Sequence, residues 1–156
     1  MNFYPVKKII TSILLFGFII LGFLDALLHG QKTYSSIMGM DINRVYLYTF
    51  YLLLLGCWLL YNKWFVGIGF LALAAFNNYF IEYILIHNYF ASVIIYIGIV
   101  IDIIIRHKKK WLIPLFVIGV IQGIAFQTGW LGYYLVGCME FLALCIGSVL
   151  VIREIE

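Results

Sequence analysis

Residues 64–105 read WFVGIGFLALAAFNNYFIEYILIHNYFASVIIYIGIVIDIII, and this stretch decides the fold. It is apolar, aromatic or glycine except at Asn77, Asn78, Glu82, His87, Asn88, Ser92 and Asp102. As one helix it would extend about 63 Å at ~1.5 Å per residue. The hydrocarbon core of a bilayer is about 30 Å thick. The stretch must therefore fold back on itself, and the polar pair His87–Asn88 is the expected break.

The same texture continues on both sides. Six apolar runs are legible: Ile9–His29, Val45–Tyr61, Trp64–Ile86, Tyr89–Ile105, Trp111–Phe126 and Trp130–Ile152. Each is near the length of about 17–25 residues that a spanning helix needs. The fifth run is the shortest, so five spans is the alternative count. Apolar residues occupy every face of these runs, whereas barrel strands alternate polar and apolar positions. Backbone groups in lipid are then satisfied only in helices. The expectation is an all-α integral membrane protein, residues 1–156 forming a single compact bundle of six transmembrane helices.

Composition agrees. Of 156 residues, 65% are hydrophobic and 11% charged, with a mean hydropathy of +1.09. Soluble domains carry roughly 45–50% apolar and about 25% charged residues. A soluble enzyme and a nucleic-acid module are excluded on that ground. The runs leave room for loops but not for a soluble domain.

Charge gives the orientation. With N and C termini in the cytoplasm, Lys7, Lys8, Lys63, Arg106, Lys108, Lys109, Lys110 and Arg153 fall inside, and Lys32 and Arg44 outside. This excess of cations on one side is the positive-inside pattern. Trp64 and Trp111 mark the inner boundary, and Tyr46, Tyr48, Trp130, Tyr133 and Tyr134 the outer one. The net charge of +3 is read as a topology signal, and the basic run Arg106–Lys110 as a topology determinant, with contact to anionic lipid as its alternative. The first run is too long for a signal-peptide core and lacks a small-x-small cleavage site, so it is read as a mature helix.

Cys57, Cys138 and Cys145 form no C-x-x-C pair. All three lie within the runs, where the expectation is buried thiols packing as small apolar residues. The two halves of the chain share no convincing self-similarity. The loop Gly30–Arg44 is the only long connection.

Four acids fall inside the runs: Asp25, Glu82, Asp102 and Glu140. A charge at mid-bilayer costs roughly 2.5–3.5 kcal/mol on insertion scales. Asp102 sits one turn before Arg106, and an i, i+4 ion pair accounts for it. Glu140 is near the midplane, beyond the reach of any basic residue of the chain. It must be protonated, paired with an amide, bound to a cation or met by another subunit. Asn77, Asn78 and Glu82 lie in the third run, with Asn78 and Glu82 on one face. Gln122 lies within Gly119-Val120-Ile121-Gln122-Gly123, a G-x-x-x-G stretch that permits close helix approach. Asp25 and His29 share a face at the end of the first run, and His87 caps the third.

On this topology Asp25, His29, Asn78, Glu82, His87, Gln122 and Glu140 all lie between the midplane and the outer surface. That asymmetry predicts a polar cleft open to the outside. Three readings compete for it: hydrogen-bonding glue between helices, a ligand, proton or cation site, and a metal or acid–base site. In the second, Glu140 and Glu82 carry the proton or cation, and Asn77, Asn78 and Gln122 orient the ligand. In the third, Asp25, His29 and His87 supply oxygen and imidazole ligands of the kind zinc, copper or iron accepts. H-E-x-x-H, P-loop and dinucleotide patterns are absent.

Leu27-Leu28-His29-Gly30-Gln31-Lys32 resembles the end of the first helix in the DoxX family, small membrane subunits linked to quinone redox chemistry. The likeness covers six residues, its lysine falls one place short, and that family usually has four spans. It implies a subunit of a redox complex. The reading as a whole is a multi-pass protein of a prokaryotic plasma membrane, in contact with the lipid bilayer and not with nucleic acid. It binds or transports a small solute or protons rather than catalysing a reaction. The alternatives are an accessory subunit of a larger respiratory or redox complex, with other subunits or a second copy as partners, and an intramembrane metalloenzyme. No cofactor is named by the sequence.

Overall fold

The structure is a computed structural model that describes the backbone of residues 4–28, 42–80, 84–128 and 132–155. Within these it describes every side chain except those of 25–27, 42–44, 77–80, 84–92, 126, 132–137 and 140. Every regular element among the described residues is helical. The order is α1 (Tyr4–Leu28), α2 (Ile42–Tyr61), α3 (Val66–Phe80), α4 (Ile84–Ile105), a 3-10 turn (Lys109–Trp111), α5 (Leu112–Thr128) and α6 (Gly132–Glu154).

Several helix ends fall where the residues predict them. α2 stops at Tyr61 and α4 at Ile105, and α5 begins directly after Trp111. Pro5 and Pro114 each sit in the first turn of a helix, where a missing N–H costs nothing. α1 begins at Tyr4 and α2 at Ile42, before the expected Ile9 and Val45, and the boundary inside the deciding stretch differs too. The expected break at His87–Asn88 is not there: α3 ends at Phe80 and both polar residues lie in the opening turns of α4. A helix leaves its first four N–H groups without intrahelical partners, so polar residues are well tolerated at that end. His87 therefore opens α4 and does not close the third helix.

α3 is then 15 residues long, about 22 Å at ~1.5 Å per residue. Among the described residues, one helical segment is long and apolar enough by itself to cross a bilayer, Tyr4–Leu24. Val45–Tyr61, Val66–Phe76 and Val93–Ile105 are apolar but shorter.

The helices group into two compact units. One holds α1, α5 and α6, and the other α2, α3 and α4. In the first, α6 packs against both α1 and α5. Leu15, Phe18 and Ile19 of α1, Leu115, Ile118 and Ala125 of α5, and Ala143, Leu150 and Val151 of α6 are buried.

In the second unit α3 packs against both α2 and α4. Glycine makes this approach close. A Cβ on Gly67 would stand 2.7 Å from the Gly56 carbonyl oxygen, and one on Gly98 2.8 Å from Val66 Cα. Leu55 and Leu59 of α2, Phe70 and Leu73 of α3, and Ile99 and Ile103 of α4 are buried.

The opposite faces are also apolar. On α2, Tyr46, Leu47, Phe50, Leu53, Leu54 and Tyr61 are exposed. On α5, Ile113 and Phe116 are 71% and 72% exposed, and Val117, Val120 and Ile124 continue the stripe. Cys57 and Cys138 belong to such exposed positions and Cys145 is half-buried, so the thiols are not the buried fillers expected of them. Their helices carry apolar residues outward, and a small apolar-like thiol fits that surface.

Candidate functional site

In the first unit, the Phe23 ring of α1 meets the Phe141 ring of α6, with centroids 6.1 Å apart. Asp25 follows Phe23 by two positions and Glu140 precedes Phe141 by one. At ~1.5 Å per residue, Asp25 and Glu140 thus occupy positions within about 3 Å, measured along each helix, of one shared level.

α5 and α6 are packed neighbours joined by three residues, 129–131, and so run antiparallel. Gln122 is about 9 Å before the end of α5, and Glu140 about 12 Å after the start of α6. Gln122 therefore belongs to the same level. It is buried, on one stripe with Leu115, Ile118 and Ala125. A buried amide in that stripe is an amphipathic signal read against the apolar helix around it.

In the second unit, Asn77 and Asn78 lie in the last turn of α3 and His87 in the first turn of α4. They share one end of that unit. Glu82 and His29 lie outside the described residues, as do the side chains of Asp25, Asn77, Asn78, His87 and Glu140. Among the described residues no three His, Cys, Asp or Glu side chains gather as metal ligands.

The best-defined polar arrangement is at the other end of the second unit. α3 begins Trp64-Phe65-Val66 and has no Ser, Thr, Asp or Asn to cap it. Asp102 of α4 supplies the cap. One carboxyl oxygen accepts the Phe65 N–H at 2.8 Å and the other accepts the Val66 N–H at 2.9 Å. Gly67 and Ile68 donate back to the Trp64 and Phe65 carbonyls at 3.1 and 2.9 Å. All four opening N–H groups of α3 are thereby satisfied. Asp102 is 1% exposed.

α2 and α4 end in the same way. Lys63 donates to Leu60 and Trp64 to Leu59. Likewise His107 donates to Ile104 and Lys108 to Ile103. This paired closure is the Schellman motif, which wants a left-handed residue and usually takes glycine. Here Lys63 and His107 occupy it, at φ of 61° and 57°.

Arg106 Nη2 donates to the Lys63 carbonyl at 3.1 Å, and the guanidinium lies 3.7 Å from the Trp64 ring centroid. The expectation for Asp102 and Arg106 was a local pair. Arg106 does act on the Asp102 charge, and each also binds across to the α2–α3 corner. Asn62 Nδ2 donates to the Trp58 carbonyl at 2.9 Å, while Asn62 Oδ1 and Trp64 Nε1 are buried without a hydrogen-bond partner.

Asp102 is the residue that local reading missed. Its partners are 36 and 37 positions away. The available signal was indirect: a helix start with no cap of its own, and a carboxylate one span later at the same boundary.

Comparison with known proteins adds no relative. The chain matches no family model, no curated protein and no solved structure. The six-residue likeness to the DoxX family is thus not joined by a family match.

Proposed function

We propose that this chain is a multi-pass membrane protein that binds or moves a small solute or protons through a polar site opening to the outer face. The membrane assignment is supported by the outward faces of α1, α2, α4 and α5. Their inner faces are packed, yet the residues turned outward are Ile, Leu, Val, Phe and Tyr. A helix apolar on all sides belongs in a core or in lipid.

The observation that carries the site is the Phe23–Phe141 contact. It brings the positions of Asp25 and Glu140 to one level on two packed helices, with Gln122 at that level on α5. Two acids at one level of two apolar helices are costly as bare charges, and a proton, a cation or a cationic ligand offsets that cost. Glu140 is the carrier, Gln122 orients the ligand, and Asp25 stands beside them in the same unit.

The test is proton or solute flux in vesicles containing the purified chain, with Glu140→Gln as the control. Loss of flux in a variant that keeps its helical circular dichroism is expected. Flux unchanged by Glu140→Gln rules out the carrier role.

A second reading, an accessory subunit of a larger complex, is favoured by one feature. Gly123 lies on the outward side of α5, and a Cβ placed there would meet nothing within 4 Å. With Gly119 one turn away, that face is smooth enough for another helix. Stoichiometric partner chains in particles extracted under mild detergent would establish that reading over the first.

A further inference from the structure

The ends of α2 and α4 bring their cations to one corner of the second unit. The Arg106 guanidinium rests on the buried Trp64 ring and is tied to the Lys63 carbonyl, so its place is set before any ligand arrives. Lys63 is exposed and stands on a left-handed residue, and His107 extends the patch in the same conformation. The neighbouring carboxyl group, Asp102, has both oxygens occupied by the Phe65 and Val66 amides. Exposed Tyr61 and Phe65 flank the cations.

Cations bordered by aromatic side chains at helix ends mark the boundary between hydrocarbon and headgroups. A planar guanidinium held in place suits two oxygens of one phosphate, and the lysine adds a compact charge beside it. We propose that this corner binds the phosphate of an anionic phospholipid in the leaflet it faces. The proposal rests on the membrane reading above.

The experiment is native mass spectrometry of the full chain released from bilayer discs made of equal phosphatidylglycerol and phosphatidylcholine. Preferential retention of phosphatidylglycerol is expected. Lys63→Gln should lower that preference about fivefold, the equivalent of about 1 kcal/mol per basic residue near a membrane surface. Arg106→Lys keeps the charge but loses the planar fork, and should lower it as well. Lys8→Gln, on α1, should leave it unchanged, and millimolar inorganic phosphate should not displace the lipid.

Equal retention of the two lipids by an inserted chain overturns this inference and leaves the membrane reading standing. So do equal losses in the Lys63 and Lys8 variants, which mean diffuse charge, and displacement by free phosphate, which means a soluble anion. A chain that never enters the discs overturns both readings together.

Discussion

Replacing Asp102 tests the second unit at its most exacting point. Asp102→Ala removes the acceptors of the Phe65 and Val66 amides. A hydrogen bond to a charged group contributes about 1.5–3 kcal/mol net. The two amides differ in what can replace it. Phe65 is exposed, so water reaches its amide and the loss stays near the lower figure, about 1.5 kcal/mol. Val66 is buried, so its amide is left without a partner at about 1.5–3 kcal/mol. Together Asp102→Ala should weaken the start of α3 by roughly 3–4 kcal/mol. Asp102→Asn keeps one oxygen and turns an NH2 toward the other amide, so its loss is smaller, roughly 2 kcal/mol. Backbone hydrogen exchange reads this directly. Phe65 and Val66 should exchange on the order of a hundredfold faster in Asp102→Ala, since 1.4 kcal/mol is a tenfold change. The interior of α2, around the buried Leu52, should stay protected. Unchanged exchange at Phe65 and Val66 would refute the capping argument, because no other acceptor would then explain their protection.

Three further outcomes follow from the packing. Gly98→Ala puts a methyl 2.8 Å from Val66 Cα and should cost about 1–3 kcal/mol, whereas Gly123→Ala meets open space and should raise helix stability by up to about 1 kcal/mol. Denaturant midpoints of the two variants should move in opposite directions; a lower midpoint for Gly123→Ala in a mixture with partner chains would mark a packed face there. Trp64→Phe removes a buried donor that has no acceptor, so its recovered 1–3 kcal/mol offsets part of the lost ring contact, and Trp64→Ala, with nothing recovered by packing, should be the more destabilising by about 2 kcal/mol or more. Cys57 and Cys138 are exposed, so on the membrane reading a charged, membrane-impermeant thiol reagent should not label them in native membranes and should do so once the chain is denatured. Rapid labelling by the charged reagent would mean those faces are wet.

What was legible in the residues is the periodic and local part of the structure. Helix ends at Tyr61 and Ile105 follow from polar or basic residues that interrupt long apolar runs, and such interruptions need no knowledge of neighbours. The His87–Asn88 break failed because polarity marks the opening turn of a helix as readily as its close. The exposed cysteines failed for a related reason: hydropathy records that a residue is apolar, not which side of the helix is already packed. Asp102 was read as a partner of Arg106 because i, i+4 is the contact visible along one helix. Its hydrogen-bond partners depend on α3 crossing α4, and that crossing depends on Gly98, a residue with no polar signature. At the polar level of the first unit, Gln122 was legible as a buried amide. The shared level of Asp25 and Glu140 was not, since it rests on which turn of α1 meets which turn of α6.

Asp102 also sharpens how the remaining acids are to be read. An acid inside an apolar helix is costly until something offsets its desolvation. For Asp102 the offset is internal: two amides with no other acceptor, at a helix start where the backbone dipoles favour negative charge. Such an offset is available only where a helix begins, because elsewhere the backbone amides are spent within the helix. Glu140 stands at the ninth position of a helix of 23 residues, and Gln122 at the eleventh of 17. Asp25 is three residues from the C-terminal end of α1, the same distance at which Asp102 precedes the end of α4. Glu140 and Gln122 stand well inside their own helices, where side chains, a proton or a ligand offset the cost of a polar group. That is why the polar level of α1, α5 and α6 is the place to look for function, while the more completely satisfied carboxylate of α4 belongs to the architecture.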